Sequence, residues 1–312
     1  MNADGRRSWF EIRAPKGTPA IGVHRRSSAV SKSVLAAVVL LLLSWVVGAF
    51  AQEPQRIVSL APSLTETVFA LGLGDRLVGV SAYCDYPPEA QRIARVGTFI
   101  TPNVEAIVSK KPDVILAVPS PGNRSPVESL ERLGFKVTIV DPLTLDGIKE
   151  SLIVIGSRLG RESKARELVA QIDSQIDSVR VRLAGVAKRK VLMVVGQTPL
   201  IVAGGATVQD ELIQLAGGIN LGAAAGKDWP HVSIEYAISS APDVIIDSTM
   251  GSEVRDEDSA KFWKAFPMIP AVKEGRIFGY KAYEVLRPGP RIGEALGVIA
   301  RFVHPERFVS DG

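Results

Sequence analysis

Two stretches of this chain align with each other without gaps. The first, VEAIVSKKPDVIL, occupies Val104–Leu116, and the second, IEYAISSAPDVII, occupies Ile234–Ile246. In each stretch a short helical pattern leads into a Pro-Asp pair and then into an apolar strand, which is a repeating α/β unit. A weaker similarity relates Arg56–Gly72 to Lys190–Gly218. We therefore predict an α/β fold of two similar lobes.

A long stretch with helical periodicity, Arg161–Ala187, lies between the repeats. It contains no proline, and its interior glycine, Gly185, falls near its end. Apolar residues recur in steps of three and four, which places them on one face of a helix. They are Ala165, Leu168, Val169, Ile172, Ile176, Val179 and Leu183. At roughly 1.5 Å per residue, about 25 residues would span about 40 Å, which is more than one lobe needs.

We predict that this segment, 161–187, is one backbone helix that joins two lobes. The N-terminal lobe would occupy 52–160 and the C-terminal lobe 188–312, with the ligand cleft between the lobes. A chain of 312 residues, 46% of them hydrophobic, is long enough to bury two cores.

Residues 1–51 have the pattern of an export signal rather than of a folded domain. Met1–Lys32 is basic, Val34–Phe50 is an apolar run, and Ala49-Phe50-Ala51 is a small-x-small cleavage pattern. We predict a signal peptide that is cleaved after Ala51, and hence a periplasmic protein. An uncleaved anchor stays open, although about 17 apolar residues are short for a bilayer span. The long basic region also leaves open a true start downstream of Met1.

The excess of basic residues in this chain lies within residues 1–51. The whole chain carries a formal net charge of +4, and residues 1–51 hold seven Lys or Arg against Asp4 and Glu11, a net of +5. The remaining residues therefore carry −1, which gives no reason to expect a nucleic-acid partner. The single cysteine, Cys84, excludes an internal disulfide, and we expect it to be a buried, inert thiol.

No catalytic constellation is visible in the sequence. The three histidines, His24, His231 and His304, are too few for a His-rich metal site, and the glycine pairs lack the spacing of a phosphate loop or a dinucleotide fingerprint. An enzyme is therefore the less favoured class, and we predict no catalytic residues, catalytic cofactor or metal site. A secreted enzyme is the alternative from a different class.

Ligand contacts are expected in loops that follow predicted strands, because open α/β sheets bind ligands at the carboxyl ends of their strands. The predicted strand Leu77–Val80 leads into a loop that contains Tyr83. A second loop contains Phe99 and leads to the first repeat. A polar-aromatic loop with Trp229 stands at the corresponding place before the second repeat.

Two further candidate ligand contacts are Ser63 and Arg287. Ser63 lies in the turn before the predicted helix Leu64–Leu71, and either Ser63 or Thr65 is expected to cap that helix. Arg287 lies in the last loop that faces the cleft. It either pairs with a carboxylate or amide of the ligand or caps the final helix, Arg291–Val303.

Four motifs of this chain resemble the periplasmic substrate-binding proteins of ABC importers for vitamin B12. They are VSAYCDYPPEAQ, NVEAIVSKKPDVILA, DWPHVSIEYAISSAPDVII and RPGPRIGEAL, and the similarity spans nearly all of Arg56–Phe308. Those proteins belong to a helical-backbone group that also takes up ferric siderophores and haem. The resemblance implies a monomer that captures a corrinoid, cobalamin, as its transported ligand and delivers it to the permease dimer of an ABC importer. A ferric siderophore or haem is the alternative cargo.

The resemblance also implies that aromatic side chains frame the corrin in the cleft. Tyr83 and Trp229 take the places of a tyrosine and a tryptophan of the family's cleft loops, and Phe99 takes the place of a second tryptophan. A further tryptophan of the family, near Val118-Pro119, and the family's disulfide are absent. These departures leave a haem, a siderophore or a modified corrinoid open, and a haem would require a tyrosine ligand such as Tyr83 or Tyr283.

Glu105 and Glu235 recur at the same place in the two repeats, at the start of the helix after a cleft loop. By themselves they are carboxylates in the first turn of a helix, where the dipole favours negative charge. In the resembling family, one such acid from each lobe docks into an arginine pocket on a permease subunit. A two-lobed protein that meets a two-fold dimer needs one contact per half. The resemblance therefore implies that Glu105 and Glu235 dock the permease.

Overall fold

The structure is a computed structural model that describes residues 53–248, 261–279 and 287–308. The predicted signal peptide with its cleavage after Ala51, and the alternative haem ligand Tyr283, lie outside the described residues. Within those three ranges, no helix combines the length and the apolarity needed to cross a membrane.

Four parallel strands form the sheet of the first lobe, in the order β2-β1-β3-β4. The strands are β1 Ile57–Ser59, β2 Leu77–Val80, β3 Val114–Ala117 and β4 Val137–Ile139. The helices of this lobe are α1 Pro62–Ala70, α2 Val104–Ser109, α3 Arg124–Arg132 and α4 Leu145–Arg158. Because all four strands run the same way, the loops that follow them gather at one edge of the sheet.

The second lobe contains a mixed sheet in which one strand pairs with three others. Its nine-residue strand β5 pairs in parallel with β7 and β8 and in antiparallel with β6, and β9 extends the sheet beyond β8. The strands are β5 Arg189–Gln197, β6 Leu200–Val202, β7 Gly218–Asn220, β8 Val244–Asp247 and β9 Ile277–Gly279. The helices are α6 Val208–Leu215, α7 Leu221–Ala225, α8 Ile234–Ser240, α9 Pro270–Lys273 and α10 Ile292–Val303. The prediction of two α/β lobes is confirmed.

The central strands of each sheet are buried on both faces, which explains why they are continuous apolar runs rather than alternating ones. In β3, Val114 and Leu116 pack into one cluster of the first lobe, and Ile115 and Ala117 pack into the cluster on the opposite face. In the second lobe, β5 divides its residues in the same manner between two clusters.

The repeated Pro-Asp pair holds the first residues of the neighbouring strand in each lobe. One carboxylate oxygen of Asp113 accepts hydrogen bonds from the backbone nitrogens of Gln55 and Arg56, at 2.9 Å each, just before β1. In the second lobe, Asp243 accepts from the backbone nitrogen of Lys190, at 2.7 Å, in β5. The sequence repeat therefore has a structural cause, because its aspartate joins β3 to β1 and β8 to β5.

A single long helix, α5, spans Glu162–Arg182. It is shorter than the predicted 161–187, because the chain turns at Leu183 and Gly185 then adopts a positive φ of 76°. Its 21 residues correspond to about 31 Å at 1.5 Å per residue. The lobe boundaries at 52–160 and 188–312 stay a prediction.

The apolar face of α5 contributes to the cores of both lobes. Ala165 packs in a cluster of the first lobe, whereas Ile172, Ile176 and Val179 pack in a cluster of the second. Leu168, between them, contacts both clusters. The predicted role of this segment as a backbone helix is thus matched by its packing.

The helix before each repeated Pro-Asp pair ends in a left-handed residue that is not glycine. Lys111 has a φ of 47° and Ala241 a φ of 49°, and each precedes the proline of its repeat. An L-residue in this conformation brings its Cβ close to the following carbonyl, which is why glycine is preferred at such helix ends.

We predict that Ala241→Gly stabilises the protein by about 0.5–1 kcal/mol. Glycine removes the free-energy cost of a left-handed residue with a Cβ. It also raises the entropy of the unfolded chain, and this smaller effect offsets part of the gain. Urea unfolding would show the gain as a raised midpoint with an unchanged slope. Ala237→Gly, a buried interior position of the same helix, is the matched control and should lower the midpoint. A lowered midpoint for both variants would contradict the prediction.

Candidate functional site

Three loops at the carboxyl edge of the first sheet are joined by hydrogen bonds. The backbone nitrogen of Ala82, after β2, donates to the carbonyl of Gly97 at 2.7 Å. The side chain of Asn123, after β3, donates to the carbonyls of Phe99 and Val118, at 3.2 and 2.9 Å. The Ala82–Gly97 bond joins the loops that carry Tyr83 and Phe99. Asn123, which the sequence did not single out, joins the loop after β3 to the Phe99 loop.

Tyr83 extends its side chain away from the protein. Its backbone is left-handed, with a φ of 66°, and the residue is 75% exposed. The next residue, Cys84, is buried, and its Sγ lies 3.2 Å from the hydroxyl of Thr65 and 3.3 Å from that of Ser81. The prediction of a buried thiol is confirmed. The inward Cys84 and the outward Tyr83 together fix which way this loop faces.

Phe99 and Trp229 occupy equivalent places in the two lobes. Phe99 is half-buried against the first core, whereas Trp229 is 42% exposed. Each ring lies four residues before the residue that caps the repeat helix, Asn103 in one lobe and Ser233 in the other. The alignment of the two repeats thus extends, still without a gap, from the repeat helices back into the aromatic loops.

The Trp229 loop is attached to β6 by backbone hydrogen bonds. The carbonyls of Asp228 and Pro230 accept from Gly204 and Val202, at 2.9 and 3.1 Å. A Cβ at Gly204 would lie 2.6 Å from the carbonyl oxygen of Gly226 and 2.7 Å from Pro230 Cδ, so this close approach requires glycine. Gly204 therefore allows the Trp229 loop to approach the end of β6 closely.

Two predictions about the start of α1 were wrong. The helix begins at Pro62 and its N-cap is Ala61, without a side-chain cap, so neither Ser63 nor Thr65 caps it. Proline with its fixed φ starts a helix readily, which moved the boundary earlier than expected. Ser63 is consequently a buried residue of the helix rather than of a turn, and its contact with a ligand stays a prediction.

Arg287 is a buried side chain with protein partners in the first lobe. Its guanidinium donates to a carboxylate oxygen of Asp85 at 2.5 Å, to Glu66 at 3.4 Å and to the backbone carbonyl of Tyr83 at 3.0 Å. It precedes α10, whose N-cap is Arg291, so it does not cap that helix. Direct contact between Arg287 and a ligand stays a prediction, and the observed partners support a different role.

Sequence reasoning missed Glu66, a carboxylate that is almost fully buried within α1. Arg291 donates to both of its oxygens, at 2.9 and 3.0 Å. The available signal was an acid that is the one charged residue of that helix, together with the two arginines of RPGPR. A buried acid of this kind requires a cationic partner elsewhere in the chain.

Glu105 and Glu235 are the second residues of α2 and α8, and both are exposed. The side chains of the two N-cap residues, Asn103 and Ser233, accept a hydrogen bond from the backbone nitrogen three residues later. In each lobe the glutamate follows the aromatic residue of the preceding loop, Phe99 or Trp229, by six positions. The structure thus gives the two glutamates equivalent local settings at the two helix starts.

The carboxylate of Glu235 is held in its charged form. The Ser233 hydroxyl donates to it, and the backbone nitrogen of Glu235 adds a second hydrogen bond, so that the pKa of this carboxyl is lowered below its ordinary value. A small desolvation by the surrounding protein opposes the shift.

Two α/β sheets, a backbone helix that packs into both cores and aromatic loops at the sheet edge define a class of protein. The sequence matches the family described as periplasmic binding protein over residues 57–284, and the chain belongs to that family. Among its relatives, the vitamin B12-binding protein of Yersinia pestis (strain Pestoides F) is 34% identical over 222 residues, which cover 71% of this chain and 79% of that protein. The family and this relative are binding proteins rather than enzymes.

Solved structures give the same class. The periplasmic vitamin B12 binding protein BtuF of Vibrio cholerae superimposes with a TM-score of 0.73 at 28% identity, covering 82% of this chain and 99% of that one. The periplasmic heme-binding protein RhuT from Roseiflexus sp. RS-1, in its apo form, gives a TM-score of 0.72 at 27% identity, covering 81% and 99%. The two-lobe fold is therefore shared by proteins named for different cargoes.

We predict that Ser233→Ala raises the pKa of Glu235 towards its ordinary value, because the variant loses the donating hydroxyl. A lowered folded-state pKa stabilises the protein above the unfolded-state pKa, and that contribution is lost as the pH falls through the folded-state pKa. The variant should therefore lose less stability on acidification than the wild type.

A carboxyl-carbon NMR titration of Glu235 measures the change directly. Ser239→Ala is the matched control, because that hydroxyl lies on the same helix and donates to the carbonyl of Tyr236. An equal shift in both variants would show that Ser233 does not hold the charge of Glu235.

Proposed function

We propose that this protein captures a corrinoid, most specifically cobalamin, in the periplasm and delivers it to an ABC importer. The observation that carries the proposal is the pair of exposed aromatic residues, Tyr83 and Trp229, one in a cleft loop of each lobe. An exposed tyrosine or tryptophan in a loop costs hydration free energy, and a flat macrocycle that covers it would recover that cost. The vitamin B12-binding relatives support cobalamin as that macrocycle.

The proposed binding surface uses aromatic faces rather than charged ligating groups. Phe99 supplies a third ring beside the Tyr83 loop, because the two loops are connected through Ala82 and Gly97. In the part of the chain that the structure describes, no cluster of three or more His, Cys, Asp or Glu side chains could hold a metal ion. Aromatic faces suit a large, largely apolar ring system whose metal is already held by the macrocycle.

Haem is the second candidate, since the fold is shared with a heme-binding protein. The specific observation in its favour is the exposed phenol of Tyr83, which points away from the core and could reach an iron atom. Titration of the purified protein with cyanocobalamin and, separately, with hemin decides between the two. Saturable binding of cyanocobalamin with weaker binding of hemin supports the proposal. Tighter binding of hemin than of cyanocobalamin would make haem the proposed cargo instead.

We predict that Trp229→Ala weakens cobalamin binding by about 1–3 kcal/mol, the usual range for burying a large apolar side chain. The loss arises because the truncated residue can no longer cover the face of the ring. Isothermal titration measures the change. Val181→Ala removes an accessible apolar side chain from the last turn of α5 and should leave the affinity unchanged. Unchanged affinity of Trp229→Ala would remove Trp229 from the site.

We also propose that Glu105 and Glu235 dock one permease subunit each. Both carboxylates are exposed, both stand at the second position of a helix, and the two helices correspond to each other in the sequence repeat. A dimer of permease subunits presents the same surface twice, so a protein with two equivalent acids can contact both halves. Exposed ion pairs contribute only about 0–1 kcal/mol each, but pairs that lose water at an interface contribute more.

We predict that replacing both glutamates by alanine leaves the cobalamin affinity unchanged and lowers uptake into proteoliposomes. Each single variant should be milder than the double one, and reversal to lysine should be worse than alanine because it adds repulsion against arginines. The matched control is the double variant Ser109→Ala with Ser239→Ala, since these serines recur on the same two helices. Normal transport by the glutamate double variant would mean that the two acids only stabilise their helix starts. Loss of cobalamin binding would mean that they belong to the ligand site and not to the docking surface.

A further inference from the structure

Two carboxylates and two arginines form a network that joins the first lobe to the last helix. Glu66 of α1 accepts from Arg291 through both oxygens, and Arg287 binds Asp85 and approaches Glu66. The side chains of Glu66 and Arg287 are only 2% and 9% exposed. The partners are separated by more than 200 positions in the chain, so the network connects elements that the sequence keeps far apart.

The network holds the Tyr83 loop from the side of the second lobe. Arg287 contacts this loop twice, at the carbonyl of Tyr83 and at the carboxylate of Asp85. The guanidinium of Arg291 lies 3.7 Å from the ring centre of Tyr86, which fixes the end of the same loop. Tyr83, Asp85 and Tyr86 are therefore each contacted by Arg287 or Arg291. Cys84, the remaining residue of this stretch, is buried.

The contacts of Arg287 maintain an unfavourable backbone conformation at Tyr83. Tyr83 is left-handed, and a residue with a Cβ adopts that conformation only when its surroundings impose it. An arginine suits the task because its planar guanidinium can donate in several directions at once, whereas a lysine presents a single point charge. Buried carboxylates such as Glu66 in turn keep the arginine in place, because an unpaired buried charge is strongly disfavoured.

We propose that Arg287 is a positioning residue of the binding site. Held by Glu66 and Asp85, it fixes the carbonyl of Tyr83 and thereby presents the Tyr83 ring to the cargo in its bound orientation. Arg287 acts through Tyr83 and not by contact with the cargo. The assignment rests on the proposed function, because it takes Tyr83 as a ligand contact.

The test is a double-mutant cycle on the full mature protein, titrated with cyanocobalamin. The variants are Arg287→Gln, Tyr83→Ala and the two combined. Arg287→Gln alone should weaken binding about tenfold, a coupling in the range of residues that share a network. In the Tyr83→Ala background the same change should have no further effect. A tenfold loss in both backgrounds would mean that Arg287 acts independently of Tyr83, and it would overturn the proposal.

Arg276→Gln is the matched control for loss of an arginine. Its guanidinium also binds a carboxylate and a backbone carbonyl, those of Glu274 and Asp243, but at the other end of the second sheet's strands. It should not change the affinity. If Arg287→Gln does not fold, Asp85→Asn takes its place, because it keeps the size of the side chain and weakens the hold on Arg287. Asp85→Asn should weaken cyanocobalamin binding less than Arg287→Gln does, and this effect should also vanish in the Tyr83→Ala background.

A second measurement separates this proposal from the proposed function. The NMR signal of a ring-labelled Tyr83, recorded without any cargo, should shift or broaden in Arg287→Gln and stay unchanged in Arg276→Gln. An unchanged Tyr83 signal in Arg287→Gln would overturn the positioning role, whatever the cargo is. Failure of the wild-type protein to bind cyanocobalamin would instead overturn the proposed function and leave this NMR result to decide the role of Arg287.

Discussion

The structure depends on one face of α5, which packs into two hydrophobic cores. The N-terminal part of α5 packs on the first sheet through Ala165, and its C-terminal part packs on the second through Ile172, Ile176 and Val179. Gly293 of α10 allows a further close approach, because a Cβ there would lie only 3.0 Å from Gln175 Cβ of α5. A wide separation of the lobes would require α5 to bend, and a sharp bend breaks backbone hydrogen bonds. Both lobes are therefore held by elements that resist bending.

The fold could be predicted from the sequence because its strongest signals are periodic and repeated. The gap-free repeat indicated two lobes, and its aspartates, Asp113 and Asp243, bind the adjacent strands in equivalent ways. The ends of elements were less predictable, as the early end of α5 shows. A pattern of apolar residues continues to Leu183, but where a helix stops depends on the local turn around Gly185.

The candidate site was predictable in its exposed residues and much less so in its buried ones. Loop aromatics such as Tyr83 and Trp229 can be read from position and type, because their loops follow strands or precede the repeat helices. The ion pairs of Arg287 could not, because its partners Glu66 and Asp85 lie more than 200 positions away. A long-range ion pair leaves no periodic signal in one sequence, and only the arrangement of the lobes brings its members together. The same limit applies to Asn123, whose amide connects two loops.

The short segment between the aromatic residue and the glutamate in each lobe has a mechanical consequence. From Phe99 to Glu105, and from Trp229 to Glu235, a short piece of loop enters a helix start that is capped by Asn103 or Ser233. Each glutamate stands two residues before a fully buried residue of its helix, Ile107 or Ala237, so a displacement of the helix start reaches the core of its lobe within one turn. The two ends of this segment are therefore mechanically linked through the core of their lobe, and neither the aromatic loop nor the helix start can shift without disturbing its packing.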